Sequence, residues 1–348
     1  MANDIEESCL LTYYHNNPQV KGENIICDDI KNIFNILEDY KNKVDLIIGG
    51  PPCQGFSMAN RQRLIDDPRN KLYKYYIEAI KIIQPKFFVM ENVKGMLSHI
   101  DQIKEDFDNI NYKNTYRILN AKDFGVPQNR ERLIFIGTRL DINPDEIFKD
   151  IEYISNTSNN YVLNDALGYL RELQASNIKN STEIDSELFG KKIDINSSYQ
   201  NENDYINLIN NNISSKFVFN HKARYNNDRD IEIFSRLNEG DKSDDPKIAD
   251  IMPYKDRNDI FKDKYFKLES TKICKTITAH MKFDCNMYIH PFQARGLTPR
   301  EAARVQSYPD DYFFKGAFTK TYMQIGNSVP PLLSRAIAKS IKKFLSQI

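Results

Sequence analysis

The stretch Asp45-Leu46-Ile47-Ile48-Gly49-Gly50-Pro51-Pro52-Cys53-Gln54-Gly55-Phe56-Ser57 runs from an apolar segment into two glycines, two prolines and a cysteine. A short continuous apolar run that ends in turn residues reads as a buried parallel strand. In an open parallel sheet, ligands bind beyond the carboxyl ends of the strands. Cys53 falls at such an end, on a loop that Pro51 and Pro52 stiffen. Taken alone, a cysteine after a strand is more often a small buried hydrophobe than a nucleophile.

Outward from this stretch the same texture repeats. Asn24-Ile25-Ile26-Cys27, Lys86-Phe87-Phe88-Val89-Met90 and Leu133-Ile134-Phe135-Ile136 are further apolar runs, and Leu72 to Ile83 carries apolar residues at helical spacing. The alternation from Gly22 to about Thr138 predicts an α/β layered domain with parallel strands. From Asn156 to Asn212, Asn, Ser and Asp crowd in as in linkers, with one candidate helix from Val162 to Leu173. Phe217 to Pro291 is irregular and reads as a second, smaller domain. Leu332 to Leu345 is amphipathic, with lysines on its wet face.

A length of 348 residues suggests two domains, or one large domain with an insertion. The 48 Lys and Arg balance 48 Asp and Glu, which excludes a histone-like basic chain. A local basic cleft is still enough to meet phosphates. Mean hydropathy is -0.59. No apolar run approaches the roughly 20 residues of a membrane span. The first residues are acidic and do not read as a secretion signal, so a cytoplasmic chain is expected. Five scattered cysteines argue against a disulfide framework.

Several segments together resemble the C5-cytosine DNA methyltransferases of bacterial restriction–modification systems. Pro51-Pro52-Cys53-Gln54-Gly55-Phe56-Ser57 is similar to that family's nucleophile loop, and Phe88-Val89-Met90-Glu91-Asn92-Val93 to its Glu-Asn-Val strand end. Gln128-Asn129-Arg130-Glu131-Arg132 resembles its Gln-x-Arg-x-Arg motif. Arg295-Gly296-Leu297-Thr298-Pro299-Arg300-Glu301 through Tyr308-Pro309, and then Gln324-Ile325-Gly326-Asn327-Ser328-Val329-Pro330, match its last two motifs. Five motifs in order along the chain reverse the bland reading of Cys53.

The resemblance implies a Rossmann-like α/β methyltransferase sheet that uses S-adenosylmethionine, with a smaller, irregular target-recognition domain. The expected boundaries are 1–165 for the catalytic domain, 166–323 for recognition domain and hinge, and 324–348 for a returning C-terminal helix. Carbon C5 of cytosine is a poor nucleophile, and a thiolate added at C6 makes it enamine-like. Cys53 is the implied thiolate. Glu91 is the implied acid toward ring N3, and Arg130 and Arg132 would meet the base carbonyl and nearby phosphate. The bland alternatives are a solvated Glu91 and a surface ion pair of the arginines with Glu131. The cytosine must leave the double-stranded DNA stack. Arg61, Arg63, Arg69 and Lys71 would track phosphates on a closing loop, or simply lie in a solvated one, and Gln54 and Ser57 are further implied DNA contacts.

For the donor, Ala2-Asn3-Asp4-Ile5-Glu6 resembles the family's second strand end, so Asp4 would hold the ribose and Ile5 would pack on adenine. Cys27-Asp28-Asp29-Ile30 resembles the next strand end, with Asp29 accepting from the adenine amino group and Ile30 beside it. Pro52, Asn327 and Val329 complete the implied pocket. Thr276-Ile277-Thr278-Ala279-His280-Met281 resembles a strand near the recognition domain.

The family's opening strand, Gly-rich turn (Phe-x-Gly-x-Gly-Gly) and helix have no counterpart before Met1. The sequence reading therefore expects an N-terminally truncated sheet, with Asn24–Cys27 unpaired, a bare edge on Val44–Ile48, and weak donor binding. A displaced start, a separate chain supplying the missing unit, and decay to a non-catalytic DNA-binding remnant are the competing explanations. A tRNA cytosine C5 methyltransferase is a lesser alternative, because Gln54-Gly55-Phe56-Ser57 resembles the DNA enzymes more. No metal is expected: Cys274, His280, Cys285 and His290 lack the close cysteine pair of zinc sites. Gly49-Gly50 is not a phosphate loop, since no helix with Lys-Ser/Thr follows.

Overall fold

The computed structural model describes residues 1–52, 72–179, 184–195, 203–213, 215–253 and 264–347. Strand β1 (Ala2–Asp4), helix α1 (Glu7–Asn16) and strand β2 (Ile25–Cys27) form a small unit. β1 and β2 pair in parallel, Ala2 opposite Ile25 and Asp4 opposite Cys27. The Asn3 amide donates to the carbonyls of Ile26 and Asp28 at 3.0 and 2.8 Å. This corrects the expectation of an unpaired Asn24–Cys27: the three residues of β1 are enough to satisfy one edge of β2.

Helix α2 (Phe34–Leu37) leads to β3 (Leu46–Gly49). Helix α3 (Leu72–Ile83), β4 (Phe87–Asn92), α4 (Ile100–Asp108), β5 (Lys113–Asn120) and β6 (Glu131–Thr138) follow. The four strands make a second sheet in the order β3-β4-β6-β5. β3 is an edge strand, and Ile48 is 74% exposed. The bare edge expected on Val44–Ile48 is therefore present among the described residues.

β3 and β4 run parallel, but β6 is antiparallel to both β4 and β5. The parallel reading of Leu133–Ile136 is thus corrected. A strand covered on both faces gives an unbroken apolar run whichever way it points. β5 escaped the sequence reading because Lys113, Asn114, Thr115 and Arg117 break any such run. It is an edge strand, where polar residues belong.

The period-two alternation of β4 sorts its side chains onto two faces. Phe88 and Met90 pack with Tyr76, Ile77 and Ile80 of α3 and Phe107 of α4. Phe87 and Val89 pack with α5 (Pro144–Asn156) and with α11 (Pro331–Leu345). The C-terminal helix therefore returns to the sheet, where Ser340 donates to Asp150 at 2.7 Å.

Helix α6 (Leu163–Leu167) is only five residues long, shorter than the expected Val162–Leu173. The chain leaves it at Gly168, and Tyr169 takes a left-handed φ of 63°. Strand β7 (Gly190–Ile195), α7 (Asp204–Ile209), β8 (Phe217–Lys222), α8 (Asp228–Arg236), α9 (Pro299–Val305) and α10 (Phe318–Asn327) complete the order. β7 and β8 form an antiparallel pair. Thr276–Met281 is not the expected strand: it crosses irregularly into a 3-10 turn at Ala279–Lys282. One buried cluster unites Ala121 and Val126 with α6, α7, α9, α10 and Leu332. Arg295–Glu301 and Arg304–Asp310, each at 2.7 Å, are fully buried ion pairs beneath it. Among the described residues, no helix is long and apolar enough to cross a membrane.

Candidate active site

The parallel pair β3–β4 brings two strand ends together. The register closes at Gly49 opposite Met90, so Gly50 lies level with Glu91. A β-carbon on Gly50 would sit 3.1 Å from Glu91 Oε2, so the bare glycine lets the carboxylate lie across the start of the loop. A β-carbon on Gly49 would sit 2.5 Å from the Tyr76 ring, and the Tyr76 hydroxyl donates to the Val89 carbonyl at 2.8 Å. Helix α3 thereby presses on the last residue of β3.

Across the sheet, Arg132 Nε meets Glu91 Oε1 at 2.7 Å, with both side chains largely buried. Burial raises the Glu91 pKa, against the opposing pull first of Arg132 and then of Arg130. Burial also lowers the Arg132 pKa, and the partner carboxylate opposes that shift.

Arg130 behaves differently, which corrects its expected contact with the base. It is fully buried. Its guanidinium donates to the carbonyls of Ile277, Gly326 and Ser328 at 2.6, 2.9 and 2.8 Å. Burial pushes its pKa down to about 9, so it remains a cation at neutral pH. It braces the end of α10 against the segment after Thr276 and does not line the cleft.

A cavity of about 700 Å³ opens over these strand ends. Asp4, Pro51, Pro52, Glu91, Arg132 and Asn327 line it, joined by Tyr308, Tyr312, Phe314 and Gln324. A second cavity, of about 600 Å³, shares Asn3, Asp4, Gly50, Pro51 and Pro52 with the first. It continues over Ile5, Asp29, Ile30 and the open edge of β3. Val329 lines neither cavity; it packs against the core beneath α11, which corrects its place in the pocket. Cys53, Gln54, Ser57, Arg61, Arg63, Arg69 and Lys71 lie outside the described residues.

The first cavity is closed by residues far apart in sequence. Lys320 pairs with Glu6 at 2.6 Å. Asn16 holds the Phe313 backbone from both sides at 2.9 Å, and Thr12 accepts from Lys315 N at 2.9 Å. Helix α1 is thus tied to the segment before α10. The aromatic wall of Tyr308, Tyr312 and Phe314, with ring centroids 4.9–5.0 Å apart, went unread in the sequence. Only Tyr308 had a signal, as part of a motif.

Two carboxylates, Asp4 and Asp29, stand beside the second cavity. Asp4 accepts from Glu6 N at 2.8 Å, which holds its carboxylate at the strand end. Asp29 accepts from Lys31 N at 3.1 Å and pairs with Lys31 at 3.6 Å. Ile5 is 75% exposed at the edge of this cavity, an apolar surface able to take a planar ring. Two carboxylate acceptors beside exposed apolar side chains suit a ribose diol and a purine.

The family model of C-5 cytosine-specific DNA methylases matches residues 1–343. The type II methyltransferase M1.HphI of Haemophilus parahaemolyticus is 35% identical, over 86% of this chain and 69% of its own. The type II methyltransferase M.DdeI of Desulfomicrobium norvegicum is 34% identical, over 97% of this chain and 81% of its own. Among solved structures, a chain described as a DNA modification methyltransferase encoded within an E. coli prophage superposes with a TM-score of 0.74. It has 25% identity and covers 99% of this chain and 92% of its own. With a match along nearly its whole length, the chain belongs to the C-5 cytosine-specific DNA methylase family.

Proposed function

We propose that this DNA cytosine-5 methyltransferase acts through a covalent Cys53 adduct on a cytosine flipped out of double-stranded DNA, with S-adenosylmethionine as donor. The observation that carries the reading is the Glu91–Arg132 pair, closed at 2.7 Å beside Gly50-Pro51-Pro52 at the floor of the cleft. Asp4 and Ile5, with Asp29 and Ile30, would hold the donor, and Pro52 and Asn327 would face its reactive end. When bound, S-adenosylmethionine supplies an electrophilic methyl group.

Cys53 adds to C6, and the electron pair displaced toward the ring makes C5 nucleophilic. Glu91, whose pKa burial raises against the pull of Arg132, is placed to donate a proton to N3, so charge does not accumulate there. Arg132 orients the Glu91 carboxylate and presents donors to the base carbonyl. After methylation, solvent water takes the C5 proton, the C–H electron pair re-forms the C5–C6 double bond, and the C6–sulfur bond breaks with its pair leaving on sulfur, which frees Cys53 as a thiolate. Gln54, Ser57, Arg61, Arg63 and Arg69 follow the nucleophile and would close on the phosphates. Unstacking the target costs a few kcal/mol, which those contacts offset. Residues 166–323 would select the site.

The test is covalent trapping, with S-adenosylmethionine present, on DNA that carries 5-fluorocytosine, where fluorine stands in place of the proton that must leave. The unaltered protein should form a stable adduct, and Cys53→Ser should form none while still binding DNA. Trapping retained in Cys53→Ser overturns the assignment.

A second reading concerns partners. β1 and β3 are edge strands of two sheets, and both border the 600 Å³ cavity. An added parallel strand there, from adjoining polypeptide or from a separate chain, would pair both edges and complete the donor side. Calorimetric donor affinity should then rise when that strand unit is supplied; unchanged affinity would remove this reading.

A further inference from the structure

The parallel ladder between β3 and β4 cannot continue past Gly49 and Met90 in the ordinary way. Pro51 and Pro52 have no N–H to give, so the loop side offers β4 only carbonyl acceptors. The Asn92 side chain supplies what the ladder lacks. Its Nδ2 donates to the Pro51 carbonyl at 3.0 Å, and its Oδ1 accepts from Val93 N at 2.9 Å. The second bond fixes which end of the amide faces Pro51. Asn92 is buried, so neither bond competes freely with water.

The position of this bond gives it consequence. Pro51 stands two residues before Cys53, and Asn92 stands one residue after Glu91. A single side-chain hydrogen bond therefore ties the strand end that launches the nucleophile to the strand end that carries the carboxylate. With Gly50 leaving room for Glu91 Oε2, the two ends are set at a fixed separation. We infer that Asn92 is a positioning residue that holds Pro51, two residues before the nucleophile, in register with Glu91. The inference rests on the Cys53–Glu91 reading given above.

Asn92→Asp keeps the acceptor for Val93 N but turns a carboxylate toward the Pro51 carbonyl. Only its protonated form can donate as the amide does. Asn92→Ala removes both bonds at every pH. Misplacement of a reacting group by about an ångström can cost on the order of 100-fold in rate. Both variants should therefore lower kcat and the rate of adduct formation on 5-fluorocytosine DNA about 10- to 100-fold at neutral pH, with KM for DNA changed less than about twofold. The ratio of Asn92→Asp to unaltered rate should climb as the pH is lowered, while that of Asn92→Ala should stay flat. A flat ratio for Asn92→Asp, or an unaltered adduct rate in Asn92→Ala, would overturn the inference. Absence of any adduct in the unaltered protein would instead overturn the Cys53 mechanism, so the two failures are distinguishable.

Discussion

Arg130 and Arg132 stand two positions apart, the first just before β6 and the second within it, yet only Arg132 reaches the cleft. Arg132 closes on Glu91, while Arg130 spends its guanidinium on three backbone carbonyls. The divergence begins just upstream, where Asn129 N donates to the Cys274 carbonyl at 2.8 Å and Gln128 Oε1 accepts from Ile277 N at 2.8 Å. These bonds draw the backbone at Arg130 toward the 274–277 segment before β6 begins.

The two arginines should therefore fail in different ways. Arg130→Met leaves buried carbonyls without donors and should destabilise the fold by about 3 kcal/mol in urea melts. Arg132→Lys keeps a charge but loses the fork geometry. With a cation still facing the buried carboxylate, it should melt closer to the unaltered protein than Arg130→Met does, while losing on the order of 100-fold in methyl transfer. An Arg130→Met melt that matches the unaltered one would show that the brace contributes nothing.

The Glu91 pKa is raised by burial and held back by Arg132. An acid is competent below its folded pKa and loses its proton as the pH rises through it. Single-turnover methylation should thus show a descending limb at high pH. Arg132→Met removes the restraining cation and should move that limb to still higher pH, though from a lower maximum. A limb that stays in place would mean that Glu91 does not supply the proton.

Two buried histidines predict acid sensitivity. His221 is pushed down to about 4 and His290 to about 3, in each case chiefly by burial. Glu301 raises both, while Arg295 lowers both; Arg304 also lowers His221 and Lys267 also lowers His290. Below the ordinary value of about 6.5, the unfolded chain binds protons that the folded chain refuses. Stability should then fall by about 1.4 kcal/mol per pH unit for each histidine until its folded value is reached. Urea melts between neutral pH and about pH 5 should show this slope, and His290→Gln should roughly halve it.

Gly326 lies against the backbone of the 3-10 turn. A β-carbon there would sit 2.1 Å from Ala279 N and 2.2 Å from the Thr278 carbonyl carbon. Neither neighbour can swing away, so Gly326→Ala should cost about 1–3 kcal/mol in melts. Because Gly326 also lines the cleft, donor affinity should fall too. Unchanged donor affinity with a lowered melt would confine its role to packing.

Base readout requires side chains at groove edges. Exchange of the region from about 166 to 300 for the matching region of another such methyltransferase should change which sequence becomes methylated. Methylation mapped at the original site after the exchange would place recognition elsewhere.

The elements legible in the sequence are those whose burial leaves a pattern. Leu72–Ile83 is a helix with the expected bounds, and the four apolar runs are all strands. Strand direction was hidden because Phe135 and Ile136 are buried alike in either orientation. β5 was hidden because an edge strand needs no apolar run. At the site, the motifs drew attention to Glu91 and Arg132. They gave no warning that Arg130 is consumed by carbonyls of Ile277, Gly326 and Ser328, since partners 147 to 198 positions away leave no mark at Arg130 itself. The aromatic wall was unreadable for the same reason.

The tie between helix α1 and the segment before α10 has a consequence for synthesis. Asn16 and Phe313 meet across 297 positions, so a ribosome lays down the strand ends long before the wall that covers them. A nascent chain carries Pro51, Pro52 and Glu91 in an uncovered state for most of its translation, and late contacts of this kind form slowly. The hollow over these strand ends is in effect a delayed assembly. Methylating capacity in a growing cell is then gated by completion of each polypeptide, and a prematurely released fragment holds the strand ends without the wall that closes over them.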